Sequence, residues 1–436
     1  MLEQFQQHIN QKFSFLKDKK LLIAISGGVD SVVLTHLSHT LSFNISLAHC
    51  NFNLRGAESD RDEKFVKKLA ADLNVKVFTE RFETQKYAND NQLSTQVAAR
   101  NLRYNWFQKL IKKYDFDVLL TAHHADDNLE TFIINLARGT GLEGLTGIPE
   151  INQNTVRPLL IFSRDEIEQY AAENNIEWRE DKSNASSKYV RNKIRHQIVP
   201  ILKEINPKLL DSFQKTSQHL QESKQIIDDS ISAFKKKAVE VSENENLKID
   251  ISIIKETKNP KAYLYQLLKE FGFTEWSDVT NLLTAQSGKE VFSKTHRLLK
   301  DRNCLLLSEI KKEVTHVEYL ITENAFEIKI PIHLKFEKTT NATSKNKNVI
   351  IIDQNKTTFP LTLRKWKHGD YFYPTGMQGK KKLSKYFKDE KFSLLEKENT
   401  WLLCSNSNIL WVVGHRQDNR FLNTKDIGHF LKIELC

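Results

Sequence analysis

The apolar run Leu21-Leu22-Ile23-Ala24-Ile25 leads straight into SGGVDS, residues 26–31, and then into a segment with Val33, Leu34, Leu37 and Leu41 at helical spacing. A run of that length reads as a buried parallel strand, and the spacing after it as an amphipathic helix. Gly27 and Gly28 therefore sit on a strand-to-helix turn. There the helix start offers unpaired backbone N–H groups and the positive end of its dipole, and glycine lets a ligand approach without meeting a Cβ. That geometry suits a phosphate. The P-loop pattern GxxxxGK[ST] is absent, since no lysine stands between Leu21 and Ser46. Read alone, SGGVDS is also compatible with a plain glycine turn capped by Asp30 or Ser31.

Up to about residue 160, short apolar runs alternate with helical patterns, as in a parallel sheet covered by helices. Strands are expected at Leu21–Ile25, Ile45–His49, Val75–Thr79, Val118–Ala122 and Val156–Leu160, and helices over Asp60–Leu73, Ser94–Tyr114 and Ala125–Ala137. The fold class is α/β, a doubly wound parallel sheet, followed by two smaller α+β domains. Ligands of such sheets bind at the carboxyl ends of the strands, where SGGVDS, His49 and His123 fall. Past Pro207, Leu209, Phe213, Leu220, Ile227, Ile231 and Phe234 form one stripe on a long helix, expected to bridge two domains. Helices at Tyr263–Phe271 and Val279–Thr284 follow, then a hairpin signalled by Ser287-Gly288-Lys289, a polar loop over residues 339–347, and short strands to the end. The expected domains are 1–205, 206–310 and 311–436.

Nothing in the first residues, MLEQFQQHINQKF, resembles a signal peptide or membrane anchor, which points to the cytoplasm. Cys50, Cys304, Cys404 and Cys436 form no CxxC pair and read as reduced thiols. The net charge of +10 favours a polyanionic partner without proving one.

The loop is not isolated. SGGVDS after an apolar strand resembles the signature of the PP-loop ATP pyrophosphatases, which cleave ATP between its α and β phosphates. Residues 48–66 (AHCNFNLRGAESDRDEKFV), 121–149 (TAHHADDNLETFIINLARGTGLEGLTGIP), 181–195 (DKSNASSKYVRNKIR) and 369–403 resemble one branch, the tRNA(Ile)-lysidine synthases, over nearly the whole chain. The resemblance implies ATP and Mg2+ as cofactors, and free L-lysine and a CAU-anticodon tRNA(Ile) as partners. The C2 oxygen of the wobble cytidine would attack the α-phosphate, releasing pyrophosphate. The lysine ε-amino group would then displace AMP.

By this resemblance Ser26, Gly27, Gly28, Val29, Asp30 and Ser31 would hold the pyrophosphate, with Asp30 the Mg2+ ligand. Asp127 and Glu130, three apart on one helix face, would hold lysine; helix capping is the bland alternative. His123, with His124 beside it, could contact ATP or simply end a strand. Arg100 and Arg103 are expected at phosphate and nucleotide, against the plainer reading of a solvated helix face. Arg191 and Arg195 could take the α-phosphate or the tRNA backbone; the catalytic assignment goes to Arg191 and the tRNA contact to Arg195. His49, Asn51 and Arg55 follow the second strand, with His49 assigned to the nucleotide. The family often has a second histidine where this chain has Phe52, and glutamine where it has Asn128. GTGLEGLTG, residues 139–147, reads either as a flexible border of the reactive base or as a structural turn.

From Arg364 to Lys391 there are nine Lys or Arg against three acids, interleaved with aromatics that read mostly as core. Lys380, Lys381, Lys382 and Lys385 are the expected tRNA backbone contacts. Rival readings are a tRNA thiolase, which needs paired or cluster-forming cysteines, a glutamine-dependent synthetase, which needs an amidotransferase part, and a tRNA-binding protein without activity.

Overall fold

The computed structural model describes residues 1–180, 190–241, 246–310, 318–340, 346–422 and 430–436. It divides into two compact units, Met1–Asp229 and Ser230–Cys436. Most of the lysidine-type block at 181–195 falls outside the described residues, which resume at Val190.

The helices and strands of the first unit follow in chain order. They are α1 (Leu2–Lys12), β1 (Lys20–Ala24), α2 (Val29–Thr40), β2 (Asn44–Asn51), α3 (Ala57–Asp72), β3 (Lys76–Arg81), α4 (Thr84–Asp90), α5 (Thr95–Tyr114), β4 (Val118–Leu120), α6 (Ala125–Arg138), α7 (Leu142–Leu145), β5 (Ile151–Asn152), β6 (Thr155–Val156), α8 (Arg164–Glu173), α9 (Val190–Lys193), a π-helical turn (Ile194–Ile198), α10 (Val199–Ile205) and α11 (Leu209–Ala238). The sheet order is β3-β2-β1-β4-β6-β5, parallel except for the β5–β6 pair. Alternation along β1 sorts its two faces. Leu21 and Ile23 join Val33, Val66 and Ile167 from α2, α3 and α8. Leu22 points the other way, to Trp106, Phe107 and Leu110 of α5. The sheet is thus doubly wound, and chain order reverses between β1 and β4. Their carboxyl ends, SGGVDS and HHADD, are neighbours for that reason.

The expected strand at Val156–Leu160 shortens to Thr155–Val156. Pro158 has no N–H to give a ladder, and Pro158–Ile161 turn instead. Helices α1 and α4 were not anticipated, because their apolar residues are sparse. Helix α11 runs over the range that the apolar stripe indicates, and the division between the two units falls inside it.

The second unit contains a five-stranded sheet, Val239–Val241, Leu247–Asp250, Glu290–Phe292, His296–Asp301 and Cys304–Glu309, and two four-stranded sheets further on. Ser287-Gly288-Lys289 is not a hairpin turn. It precedes the strand at Glu290, and the tight reversal is at Arg302–Asn303, where Asp301 faces Cys304. Among the described residues no helix is long and apolar enough to cross a membrane.

The two loop glycines differ. Gly27 has φ +97°, whereas Gly28 has φ −73° and ψ 159° as the N-cap of α2. Gly27→Ala is expected to lower stability by about 1–3 kcal/mol in urea unfolding, because an L-residue is strained there. Gly28→Ala should leave the midpoint nearly unchanged.

Candidate active site

The carboxyl ends of β1, β2 and β4 enclose a cavity of about 270 Å3. Ser26, Asp30 and Ser31 form one wall, Arg103, Tyr104 and Phe107 of α5 another, and Thr121, His123, Asp127 and Arg191 close it. The loop is shaped from within. Ser31 Oγ accepts from the Ser26 N–H at 3.2 Å and donates to the Gly28 carbonyl at 2.9 Å. Ser26 Oγ accepts from the Gly28 N–H at 3.2 Å. The first N–H groups of α2 have no carbonyl four residues back, which leaves the helix start suited to an anion. Gly27, Gly28 and Val29 supply this backbone without lining the cavity with side chains. The Gly27 carbonyl accepts from the Arg179 N–H at 2.9 Å, and the Arg179 guanidinium donates to Glu58 and Asp62, so the loop is tied to α3.

Asp30, Asp126, Asp127 and Glu130 converge at the start of α6, and each meets a cation from a distant element. Arg164 Nη1 donates to Asp30 Oδ2 at 2.6 Å, while Asp30 Oδ1 is buried with no hydrogen-bond partner. Asp126 accepts from the Arg164 N–H at 2.8 Å and pairs with Lys203 at 2.9 Å. Arg195 donates to Glu130 Oε1 at 2.6 Å and to Asp127 Oδ1 at 3.0 Å; Arg191 donates to Glu130 Oε2 at 2.8 Å. Glu130 is only 1% exposed.

His124 stands among Asp127 at 3.4 Å, Asp126 at 3.7 Å and Asp30 at 3.9 Å. Burial alone would lower its pKa, but the surrounding carboxylates outweigh that and raise it. Burial likewise opposes charge on Asp127, yet His124, Arg191, His123 and Arg195 hold its carboxyl below the usual range. Burial pushes His123 down to about 4, so the imidazole in the cavity wall is neutral, its Nδ1 3.0 Å from the Thr121 hydroxyl. Burial pushes the Cys50 thiol, also in the cavity wall, up to about 12, and a protonated thiol is a poor nucleophile.

Several expected contacts lie elsewhere. His49 is buried, its Nδ1 3.0 Å from the Ile25 carbonyl, and does not line the cavity. Asn51 donates to Asp60 and Glu63, and Arg55 donates to Asp62. Glu130 has both oxygens on arginines and is not among the residues lining the cavity. Arg195, expected on tRNA, is turned inward by the same pairs. Arg100 is exposed and outside the lining, its guanidinium 5.0 Å from the Tyr104 ring; Arg103 lies 5.2 Å from the Phe52 ring.

The 139–147 segment contains α7 and is anchored to α6 at its far end. Asn128 Oδ1 accepts from the Ile148 N–H, and a Cβ on Gly147 would come within 2.2 Å of that oxygen. Arg164, Arg179, Lys203 and Tyr104 were missed. Each acts across the fold, and no local pattern marks them.

In the second unit Phe372, Tyr386 and Phe387 are core. Lys380, Lys382 and Lys385 are exposed, and Lys380 Nζ lies 3.5 Å from the Tyr371 ring centroid. Lys381 departs from expectation: it is half-buried and paired with Asp389 at 2.8 Å, so it is not an open cation.

Residues 1–202 match the family model of a PP-loop domain, residues 242–310 that of a TilS substrate binding domain and residues 361–431 that of a TilS substrate C-terminal domain. The chain is 42% identical over 418 residues to a tRNA(Ile)-lysidine synthase of Parabacteroides distasonis, covering 94% of each chain. It is 39% identical to one of Bacteroides thetaiotaomicron, covering 95% of each. To one of Bacillus subtilis it is 31% identical, covering 93% of this chain and 92% of the other.

Glu130→Ala is expected to cost about 3 kcal/mol in urea unfolding, the low end for a broken buried pair because both guanidinium groups keep some access to water. For Asp126 burial opposes the charge, but His124, the Arg164 N–H and Lys203 together depress its pKa well below the usual range. Its stabilisation is therefore complete above the unfolded pKa of roughly 4 and is lost as pH falls further. Asp126→Asn should flatten the acid limb of a stability–pH curve below about pH 4, and an unchanged limb would contradict the assignment.

Proposed function

The chain belongs to the tRNA(Ile)-lysidine synthase family, and we propose that its cavity joins free lysine to C2 of the wobble cytidine in a CAU-anticodon tRNA(Ile), using ATP. The observation that carries this reading is the meeting of SGGVDS and HHADD in one cavity at the reversal point of the sheet.

In the first step the cytidine C2 oxygen attacks the α-phosphate and pyrophosphate leaves. The start of α2, with the hydroxyls of Ser26 and Ser31, receives that departing charge where it develops. Arg103, set over Phe52, faces the nucleotide. Asp30 fits a magnesium ion shared with the phosphates: Oδ1 is buried and unpartnered, and Mg2+ commonly takes one or two carboxylates together with phosphate and water. Among the described residues there is no group of three His, Cys, Asp or Glu for a closed metal cage. Such an ion would neutralise charge on the phosphates.

In the second step the lysine amine attacks C2 and AMP departs. Asp127 is the cavity's acid for an amino group, ionised and held by Arg195 and His124. Arg191, kept in place by Glu130, is the cavity's cation for the departing AMP phosphate. Holding amine and adenylated base together converts a bimolecular encounter into an internal one. The chain works in three parts, 1–205, 206–310 and 311–436, with Lys380, Lys382 and Lys385 on the tRNA backbone and the enzyme in the cytoplasm beside its substrate. A thiolase reading finds no support, because Cys50 is the only cysteine in the cavity wall.

Purified protein mixed with ATP, magnesium, labelled lysine and an unmodified CAU-anticodon isoleucine tRNA transcript should put lysine into the RNA, with AMP and pyrophosphate released in equal amounts. ADP and orthophosphate as products would sink the reading. Asp30→Ala should abolish adenylation, whereas Asp127→Ala should leave adenylated tRNA formation intact and block lysine transfer. Exchanging Lys380, Lys382 and Lys385 for alanine together should reduce the slope of log affinity against log salt by roughly 2–3.

A further inference from the structure

The arginines around the cavity fall into two groups. Arg164, Arg191 and Arg195 all pair with carboxylates. Arg157, Arg100 and Arg103 form no ion pair among the described residues, and of these Arg103 lines the cavity at the nucleotide. Arg157 follows β6 directly, so it stands at the ligand-binding edge of the sheet, and it is only 7% exposed. Its Nη1 donates to the Pro149 carbonyl at 2.7 Å, and its Nε is buried with no partner. It hydrogen-bonds Tyr104, which lines the cavity, and has Arg100, a like charge, beside it; it also acts on His123, another wall residue.

A buried guanidinium with no acid, beside a second arginine, is costly in the empty protein. Buried polar groups left without partners call for a specific explanation, and a buried cation with no acid, beside a second and solvated arginine, is explained by an anion that arrives with the substrate. Structural bonds to the Pro149 carbonyl and to Tyr104 engage part of the five guanidinium N–H groups, leave Nε without a partner and answer none of the charge.

We infer that Arg157 and Arg100 form a binding site for a phosphate oxyanion, and that its occupant is a backbone phosphodiester of the RNA next to the base being modified. The phosphates of ATP are the other source of that chemistry. They have the start of α2, Ser26 and Asp30 on the far wall. Arg100 is exposed outside the cavity lining, so its anion lies beyond the mouth, where a polynucleotide extends. The inference rests on the RNA-modifying reading and adds where the strand is gripped.

The test uses full-length Arg157→Gln, Arg157→Lys and Arg100→Gln proteins. KM for tRNA and for ATP is measured for each, with tRNA affinity followed against salt. Arg157→Gln is expected to raise the tRNA KM roughly tenfold or more, as for a lost charge-assisted bond, with little change for ATP. Its salt slope should fall by about 0.7–0.9, and Arg157→Lys should recover most of the loss. A higher KM for ATP alone would move the site to the nucleotide and overturn the RNA assignment. Equal loss in the Gln and Lys variants, or no change in either constant, would reduce Arg157 to a structural clamp. Should Arg157→Gln fail to fold, the exposed Arg100→Gln decides: normal melting with several-fold weaker tRNA binding supports the site, and unchanged binding overturns it. Lysine incorporation by the wild-type protein, run in parallel, reports on the underlying reading separately.

Discussion

Glu130 is almost wholly removed from water, and a carboxylate there is tolerable only if cations reach it. Arg191 and Arg195 come from a segment more than sixty residues away to do so. The same demand recurs at Asp126, served by Lys203 and the Arg164 backbone, and at Asp30, served by the Arg164 side chain. The acids at the start of α6 therefore decide where the start of α8, and α9 and α10, must lie. Helix α6 could have capped its own N-terminus with one acid. Four converging acids exceed that need, and the surplus organises the rest of the unit.

This knot also sets the site's electrostatics. Its acids and permanent cations nearly cancel, so it offers a triphosphate little net attraction. Attraction has to come from the start of α2 and from arginines outside the knot. A balanced cluster does something different: it holds an ionised Asp127 in a fixed direction at the cavity wall. The single unpartnered oxygen of Asp30 is the place where the balance is left open.

The sheet was readable because β1, β2 and β4 are dense apolar runs and because glycine punctuation is local. SGGVDS declared itself for the same reason. What was not readable depends on partners far apart in sequence. Asp127 and Glu130 share a helix face as their spacing requires, but only the fold shows that Glu130 faces arginines and Asp127 the cavity. Arg164 meets Asp30 across more than a hundred residues, with no periodicity to announce it. Lys381 and Lys382 are adjacent and chemically identical, yet one is half-buried against Asp389 and the other open. Val156–Leu160 misled because an apolar run was weighed above the proline within it.

A loop that releases pyrophosphate activates an acceptor but does not choose what attacks it. That choice falls to the groups facing the activated atom. Sulfur transfer needs a thiolate, and the one thiol in this wall, Cys50, is held protonated by burial. Amine transfer needs an acid to seat the amine and a phosphate-binding cation to let AMP go. Asp127 and Arg191 line the cavity together, each fixed by the buried network behind it. The distinction between one chemistry and another on this fold therefore lies less in the conspicuous glycine loop than in which side chains the neighbouring strand and helix bring to face it.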